Sequence, residues 1–352
     1  MKEDIEIIDE IDEIEEVVTL SEKEKEKAPK KKTSKKKEPQ LADIVGVGPG
    51  AIAKLSDAGV YDLMGLATLT PSQLQVLTGI SEAKGRKAIQ QAIDMLEMGF
   101  ITGIEAEKKE EELYHISLGS KNLDNLLGGK GIRSRTITEV YGSWGSSKTQ
   151  IAMMLSVMAQ LPEDKGGANG MTVYIDTEGS FTPSRLKQFA SKLGIDEEKV
   201  LENVLVARAF NSSHQMLLMN KITEMIKDGK NIRLIVIDSL MTHFRSEYAG
   251  RGKLADRQQV LNRYIHDIQK VADTNNIAVF ITNQVMSDPA QMFGDPTKAV
   301  GGNILGHASN TRIYLRKGAK DSRIAKLVDS PYLPDNATAF MVEADGFKDI
   351  EV

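Results

Sequence analysis

Residues 136–150 constrain this chain more than any other stretch. Thr136 to Tyr141 reads as a short buried strand, six small or turn-forming positions follow, and a helical pattern opens at Lys148. Strand, glycine turn and helix in that order make a phosphate-binding architecture, because backbone N–H groups and the positive end of the helix dipole converge on one anion. Gly142, Ser143, Trp144, Gly145, Ser146 and Ser147 form the turn, and Gln150 continues the helix behind Lys148 and Thr149. At this spacing the lysine reaches β- and γ-phosphates and the threonine hydroxyl can ligand Mg²⁺. The pattern is G-x-x-x-x-G-K-[ST] except at Ser147, where the second glycine belongs. If that position needs positive φ, a Cβ there costs about 1 kcal/mol, which predicts weakened nucleotide binding. Taken alone, the stretch also fits a serine-rich turn before an ordinary helix.

Three further apolar runs end in polar residues. Residues 171–179 finish at Glu178, 232–239 at Asp238, and 277–284 at Gln284. Strands alternating with helices predict an α/β, doubly wound, mostly parallel sheet, in which ligands collect at the carboxyl ends of the strands. There Asp238 would hold Mg²⁺ together with Thr149, largely through water. Glu178 is the base for an attacking water, and Gln284 can sense the γ-phosphate. Singly, each of these polar residues reads as a helix cap or a surface pair; together, beside a phosphate loop, they read as a site. Two loops leave the same edge. Residues 244–257 carry Arg245, Arg251, Lys253 and Arg257 around Gly250 and Gly252, and 286–302 are broken by Asp-Pro pairs, Gly294 and Gly301-Gly302. Both suit phosphate contact under nucleotide control, and both also fit plain surface loops.

A chain of 352 residues with 41% hydrophobic content can bury a large core and more than one domain. It has no cysteine, which excludes disulfides, thiol catalysis and cysteine-based zinc sites. The five histidines show no metal-ligand spacing. No apolar run is long enough for a membrane span, so a cytoplasmic protein is expected. The net charge of -5 is uneven: residues 1–39 pass from an acidic block into a lysine block and are expected to be a disordered tail. Ile7, Ile11, Ile14 and Val18 share a helical face within it, which also fits an amphipathic helix formed on a partner. The lysines can add affinity for phosphate backbones.

Residues 40–98 form a compact helical pattern with two glycine-centred turns, at 44–54 and, more loosely, at 77–87. They resemble helix-hairpin-helix modules, in which Gly46 and Gly48 would bring N–H groups to a DNA phosphate and Lys54 would add charge. A small bundle with glycine caps is the plainer reading. Residues 99–113 are expected to be a linker broken by Gly99 and Gly103, and 114–352 the main domain. Phe100 stands out in that linker; the residues alone favour packing on its own domain.

From residue 41 onward the chain resembles archaeal RadA-type strand-exchange recombinases, a family related to bacterial RecA. The signatures lie at 117–124, 174–179, 248–253, 281–284, 301–303, 307–309 and 329–331. The resemblance implies a RecA-like ATPase core behind a helix-hairpin-helix domain. It also implies ATP with Mg²⁺, a helical filament or ring of identical subunits on single-stranded DNA, and pairing with a homologous duplex during DNA recombination and repair. Recombination mediators and a nucleoid-associated location would follow.

By that resemblance Glu178, Lys148 and Gln284 are catalytic, Arg185 packs near adenine, and Asp329 and Pro331 cap ATP of the adjacent subunit. Arg245, Arg251 and Arg257 line the filament axis, Gly301, Gly302 and Asn303 belong to the second DNA loop, and His307 lies near the subunit interface. Phe100 becomes a plug in the next protomer. Three departures stand out: Ser147, Gly103 in place of an alanine beside the plug, and a turn at 128–131 one residue longer than usual. A recombinase paralogue that binds ATP and regulates without strand exchange is the alternative, and a RecA-fold helicase motor is a third.

Overall fold

The computed structural model describes residues 39–96, 99–248, 250–287 and 297–351. The acidic and lysine blocks of the tail lie outside them. The described residues divide at Gly99 and Phe100 into two units.

The first unit holds helices Pro49–Asp57, Leu63–Ala67, Pro71–Thr78 and Glu82–Met95. Proline opens the first and third, where its missing N–H is no loss. Thr70 and Gln73 cap the third reciprocally, the Gln73 side chain accepting the Thr70 N–H at 2.8 Å. Leu55, Leu66, Leu74, Ala88 and Ala92 make its core. The turn around Gly79, with φ 81°, lies between two helices. The turn around Gly46, with φ 94°, follows only a 3-10 turn, Leu41–Asp43, so the two copies differ in what precedes the glycine.

The second unit opens with a helix, Gly103–Glu111, where an irregular linker was expected. Thr102 accepts the Glu105 N–H at 3.2 Å and the Glu105 carboxylate accepts the Thr102 N–H at 2.7 Å. This reciprocal cap satisfies the first turn, so Gly103 begins the helix instead of breaking it.

A nine-stranded sheet forms the body of this unit. Its strands are β1 (Ile137–Gly142), β2 (Met171–Asp176), β3 (Val204–Arg208), β4 (Ile232–Asp238), β5 (Ala278–Asn283), β6 (Thr311–Lys317), β7 (Ser322–Asp329), β8 (Asn336–Glu343) and β9 (Gly346–Asp349). The order is β9-β8-β7-β6-β1-β5-β4-β2-β3, parallel from β6 to β3 and antiparallel from β6 to β9. The central strands are apolar on both faces because both are covered. Val140, Tyr174, Val236 and Phe280 enter one core, while Ile175, Ile235, Ile237 and Ile281 enter the other.

The last strand closes on residues 120–122, ahead of β1. Asp349 accepts the N–H groups of Lys121 and Asn122 and the Ser120 hydroxyl, capping helix Lys121–Leu126. The Asn122 amide donates to the carbonyls of Ala339 and Ile350 at 2.9 and 2.7 Å.

Two segments expected to be irregular carry regular structure. Residues 244–257 contribute to helix Thr242–Glu247, the 3-10 turn Arg251–Lys253 and helix Leu254–Asn275. Within 286–302, Val285–Ser287 pairs antiparallel with Thr297–Ala299, and Gly302 begins helix Gly302–Ala308. Gly301 and Gly302 do not prevent helix growth; the two Asp-Pro pairs and Gly294 fall within residues 288–296, which lie outside the described ones.

Candidate active site

A cavity of about 920 Å³ opens at the carboxyl ends of the parallel strands, lined by the glycine turn, Glu178, Arg185, Asp238, Gln284 and Arg323. The turn is built by close approach. A Cβ on Gly142 would overlap the Leu315 carbonyl oxygen of β6, so only glycine fits there. Ser147 caps helix Lys148–Met158 with φ 79° and ψ 19°, the left-handed conformation that the consensus glycine takes without strain. Lys148 Nζ donates to the carbonyls of Gly142 and Ser143 at 2.9 and 3.0 Å. Burial pulls its ammonium below the usual lysine range, against the pull of Asp238 and Glu178. Trp144 is 91% exposed at the mouth of the turn, with Lys317 Nζ 5.7 Å from its ring centre.

Asp238 is buried at the end of β4 and accepts three hydroxyls. Tyr174 donates to Oδ2 at 2.7 Å, Ser180 reaches the same oxygen at 3.4 Å, and Thr282 donates to Oδ1. Burial, and then the Asp238 charge, push the Tyr174 phenol well up, so it stays a donor.

Glu178 is placed by a turn closed on Asp176, whose Oδ1 accepts the N–H groups of Glu178 and Gly179 at 3.0 and 2.7 Å. Glu178 Oε1 accepts from Ser239 Oγ, Thr242 Oγ1 and Gln284 Nε2, each at 2.9 Å. Desolvation raises its pKa, but these hydrogen bonds and the charge of Lys148 outweigh it and hold the carboxyl below its ordinary value. Gln284 Oε1 in turn faces Arg245 Nη1 at 3.5 Å.

Arg185 is fixed at the far wall. It donates to Gln150 Oε1 at 2.6 Å, to Gln188 Oε1 at 2.7 Å, and to the carbonyls of Glu343 at 2.8 Å and of Ala344. Its guanidinium lies 4.1 Å from the Phe189 ring centre.

Thus Lys148, Thr149, Gln150, Glu178, Arg185, Asp238 and Gln284 come together around the cavity. Asp329 and Pro331 do not: both are exposed and stand outside its lining. His307 is exposed on helix Gly302–Ala308, Gly301 caps that helix at φ 107°, and the Asn303 backbone lies within it. Arg257 stands near the start of helix Leu254–Asn275, and the Arg251 backbone lies in the preceding 3-10 turn. Phe100 is fully exposed. In the first unit, Gly48 caps helix Pro49–Asp57, and Lys54 Nζ donates to the Thr78 carbonyl at 3.3 Å.

Sequence reasoning missed Ser239, Thr242 and Arg323. Ser239 and Thr242 follow Asp238 directly enough to be sought as its neighbours. Arg323 carries no local signal, since only the sheet order, which sets its strand two places from β1, brings it to the turn.

A phosphate-loop strand separated from the strand of Asp238 by the one strand that leads to Gln284, with Glu178 just past the end of the strand on the far side of Asp238, defines a RecA-like P-loop nucleotide hydrolase core. The Rad51 family model matches residues 109–350. A protein named DNA repair and recombination protein RadA from Aeropyrum pernix is 45% identical over 311 residues, covering 88% of this chain and 97% of its own. One of the same name from Metallosphaera sedula is 41% identical over 317 residues, covering 90% and 98%. The chain belongs to the Rad51 family.

Proposed function

We propose that this chain is a DNA-stimulated ATPase that assembles as a filament or ring on single-stranded DNA and carries out homologous pairing and strand exchange in recombination and repair. The observation that carries this reading is Gln284, which donates to the Glu178 carboxylate and faces Arg245 on the segment after Asp238. One side chain thereby joins the hydrolytic base to a cation suited to DNA. The names of the two RadA relatives support the same reading.

ATP fits the cavity. The turn from Gly142 to Ser147 and the start of helix Lys148–Met158 line the cavity with backbone, Lys148 supplies the phosphate cation, and the flat Arg185 guanidinium offers a face to the base. Among the described residues no three His, Asp or Glu side chains cluster to cage an ion. Mg²⁺ suits such a site, since it is held by one or two protein oxygens, phosphates and water. Thr149 would ligand it directly and Asp238 through water, and it would neutralise charge developing on the phosphates. Glu178, held ionised, takes the proton of the attacking water. Lys148 follows the β- and γ-phosphates. Gln284 reports loss of the γ-phosphate to the segment that begins at Val285.

DNA contact is assigned to Arg245, Arg251, Arg257, Gly301, Gly302 and Asn303 in the core, and to Gly46, Gly48 and Lys54 in the helical unit of residues 40–98. Residues 99–113 carry the polymerisation motif and 114–352 the ATPase core. Phe100 docks in the next protomer, His307 lies near that interface, and Asp329 and Pro331 cap the neighbour's ATP; their exposure suits such a role. Recombination mediators bind the assembled form, and the protein works in the cytoplasm on the nucleoid. No helix among the described residues is long and apolar enough to cross a membrane.

The strained Ser147 favours a second reading, an ATP-binding regulator that does not catalyse exchange. ATP hydrolysis with and without single-stranded DNA separates the two. Strong DNA stimulation that Glu178→Gln abolishes is expected; ATP binding without turnover in the presence of DNA would give the regulator its place.

A further inference from the structure

Three cations line the cavity, Lys148, Arg185 and Arg323, and only the first two have a role above. Arg323 lies on β7 but is tied to the glycine turn. Its Nε donates to the Ser147 hydroxyl at 3.0 Å, while Nη1 donates to the carbonyls of Asp321 and Ser322 at 2.7 and 3.0 Å. These bonds fix the plane of the guanidinium and leave the Nη2 donors for a ligand. A glycine at 147 could not make the first of them. The residue that strains the turn is therefore also the one that draws a second cation onto it. Lys317 stands on the same flank, within 3.1 Å of where a Gly145 Cβ would be, so the turn faces positive charge on the side opposite Glu178 and Asp238. Backbone N–H groups of such a turn cradle α- and β-phosphates, and a guanidinium bonded to the residue before Lys148 stands beside them.

We propose that Arg323 contacts the α- and β-phosphates of the bound nucleotide and that Ser147, through its hydroxyl, positions Arg323 to do so. This rests on reading the cavity as the ATP site.

Calorimetric titration of the full chain with ATP, ADP and adenosine, in MgCl₂, tests it; fluorescence of Trp144, the single tryptophan, gives a second signal. Arg323→Ala is expected to weaken ATP and ADP by about tenfold or more and to leave adenosine unchanged, the size for a lost hydrogen bond to a charged group. Arg323→Lys recovers part of the loss. Ser147→Ala keeps the Cβ and the left-handed backbone and removes only the hydroxyl; it is expected to weaken both nucleotides by less. The double variant should bind no worse than Arg323→Ala alone. Wild-type affinity in Arg323→Ala overturns the phosphate contact, as does an equal loss for adenosine. Additive losses in the double variant overturn the positioning role of Ser147. Lys148→Ala separates this from the larger reading: if it binds ATP as wild type does, the cavity is not the ATP site, whereas if it alone loses ATP, only the role of Arg323 falls.

Discussion

Ser147 carries two opposing contributions in one side chain. Its left-handed backbone costs about 1 kcal/mol relative to glycine, while its hydroxyl holds Arg323. Ser147→Gly is accordingly expected to shift stability and affinity in opposite directions: a higher urea midpoint for the core and weaker ATP binding, read by denaturation monitored with circular dichroism and by calorimetry. Thr242 sets a different balance. Its hydroxyl donates to Glu178, and a hydrogen bond to a carboxylate favours the charged form. With Thr242→Val the Glu178 pKa rises toward the ordinary carboxylate value, so the acid side of the pH–rate profile for ATP hydrolysis should move to higher pH. An unmoved acid limb would show that another group controls it.

The strands show which parts of the fold a linear reading reaches. β1, β2, β4 and β5 are legible because strands covered on both faces are mostly apolar and end where polar residues begin. Glu178, Asp238 and Gln284 are legible as strand-end residues for the same reason. The segments after Asp238 and Gln284 are not, since glycine and proline counts register local flexibility but not pairing of Val285–Ser287 with Thr297–Ala299. Arg323 is invisible in its own strand because the sheet order alone brings it to Ser147. Glu139 in β1 is another such case: fully buried, it pairs with Arg312 of β6 at 2.7 Å and accepts the Asn283 amide of β5 at 2.8 Å. That joint ties three neighbouring strands under the phosphate turn. Arg312→Met, which leaves the buried carboxylate uncompensated, is expected to cost about 3–5 kcal/mol in denaturant titration, and Glu139→Gln in the same chain to restore most of it.

At the scale of the whole molecule, the exposed side chain of Phe100, followed by Ile101 and Ile104, offers apolar surface that water disfavours. Phe100→Glu is expected to abolish self-assembly, seen as loss of large species in light scattering and of filaments by electron microscopy, with ATP affinity kept. Filaments that persist would remove the plug. The closure of β9 onto residues 120–122 has a consequence for synthesis on the ribosome. Helix Lys121–Leu126 has Ser120 as its own cap but gains acceptors for the Lys121 and Asn122 N–H groups only from Asp349, and Arg185 waits for the carbonyls of Glu343 and Ala344. The helical unit can fold as soon as it emerges, whereas the nucleotide pocket lacks part of its far wall until Glu343 and Ala344 have emerged. A nascent chain stalled short of that point holds the phosphate turn, Glu178 and Asp238 but lacks the carbonyls that fix Arg185, so its pocket is formed at the phosphate end before the far wall is held in place.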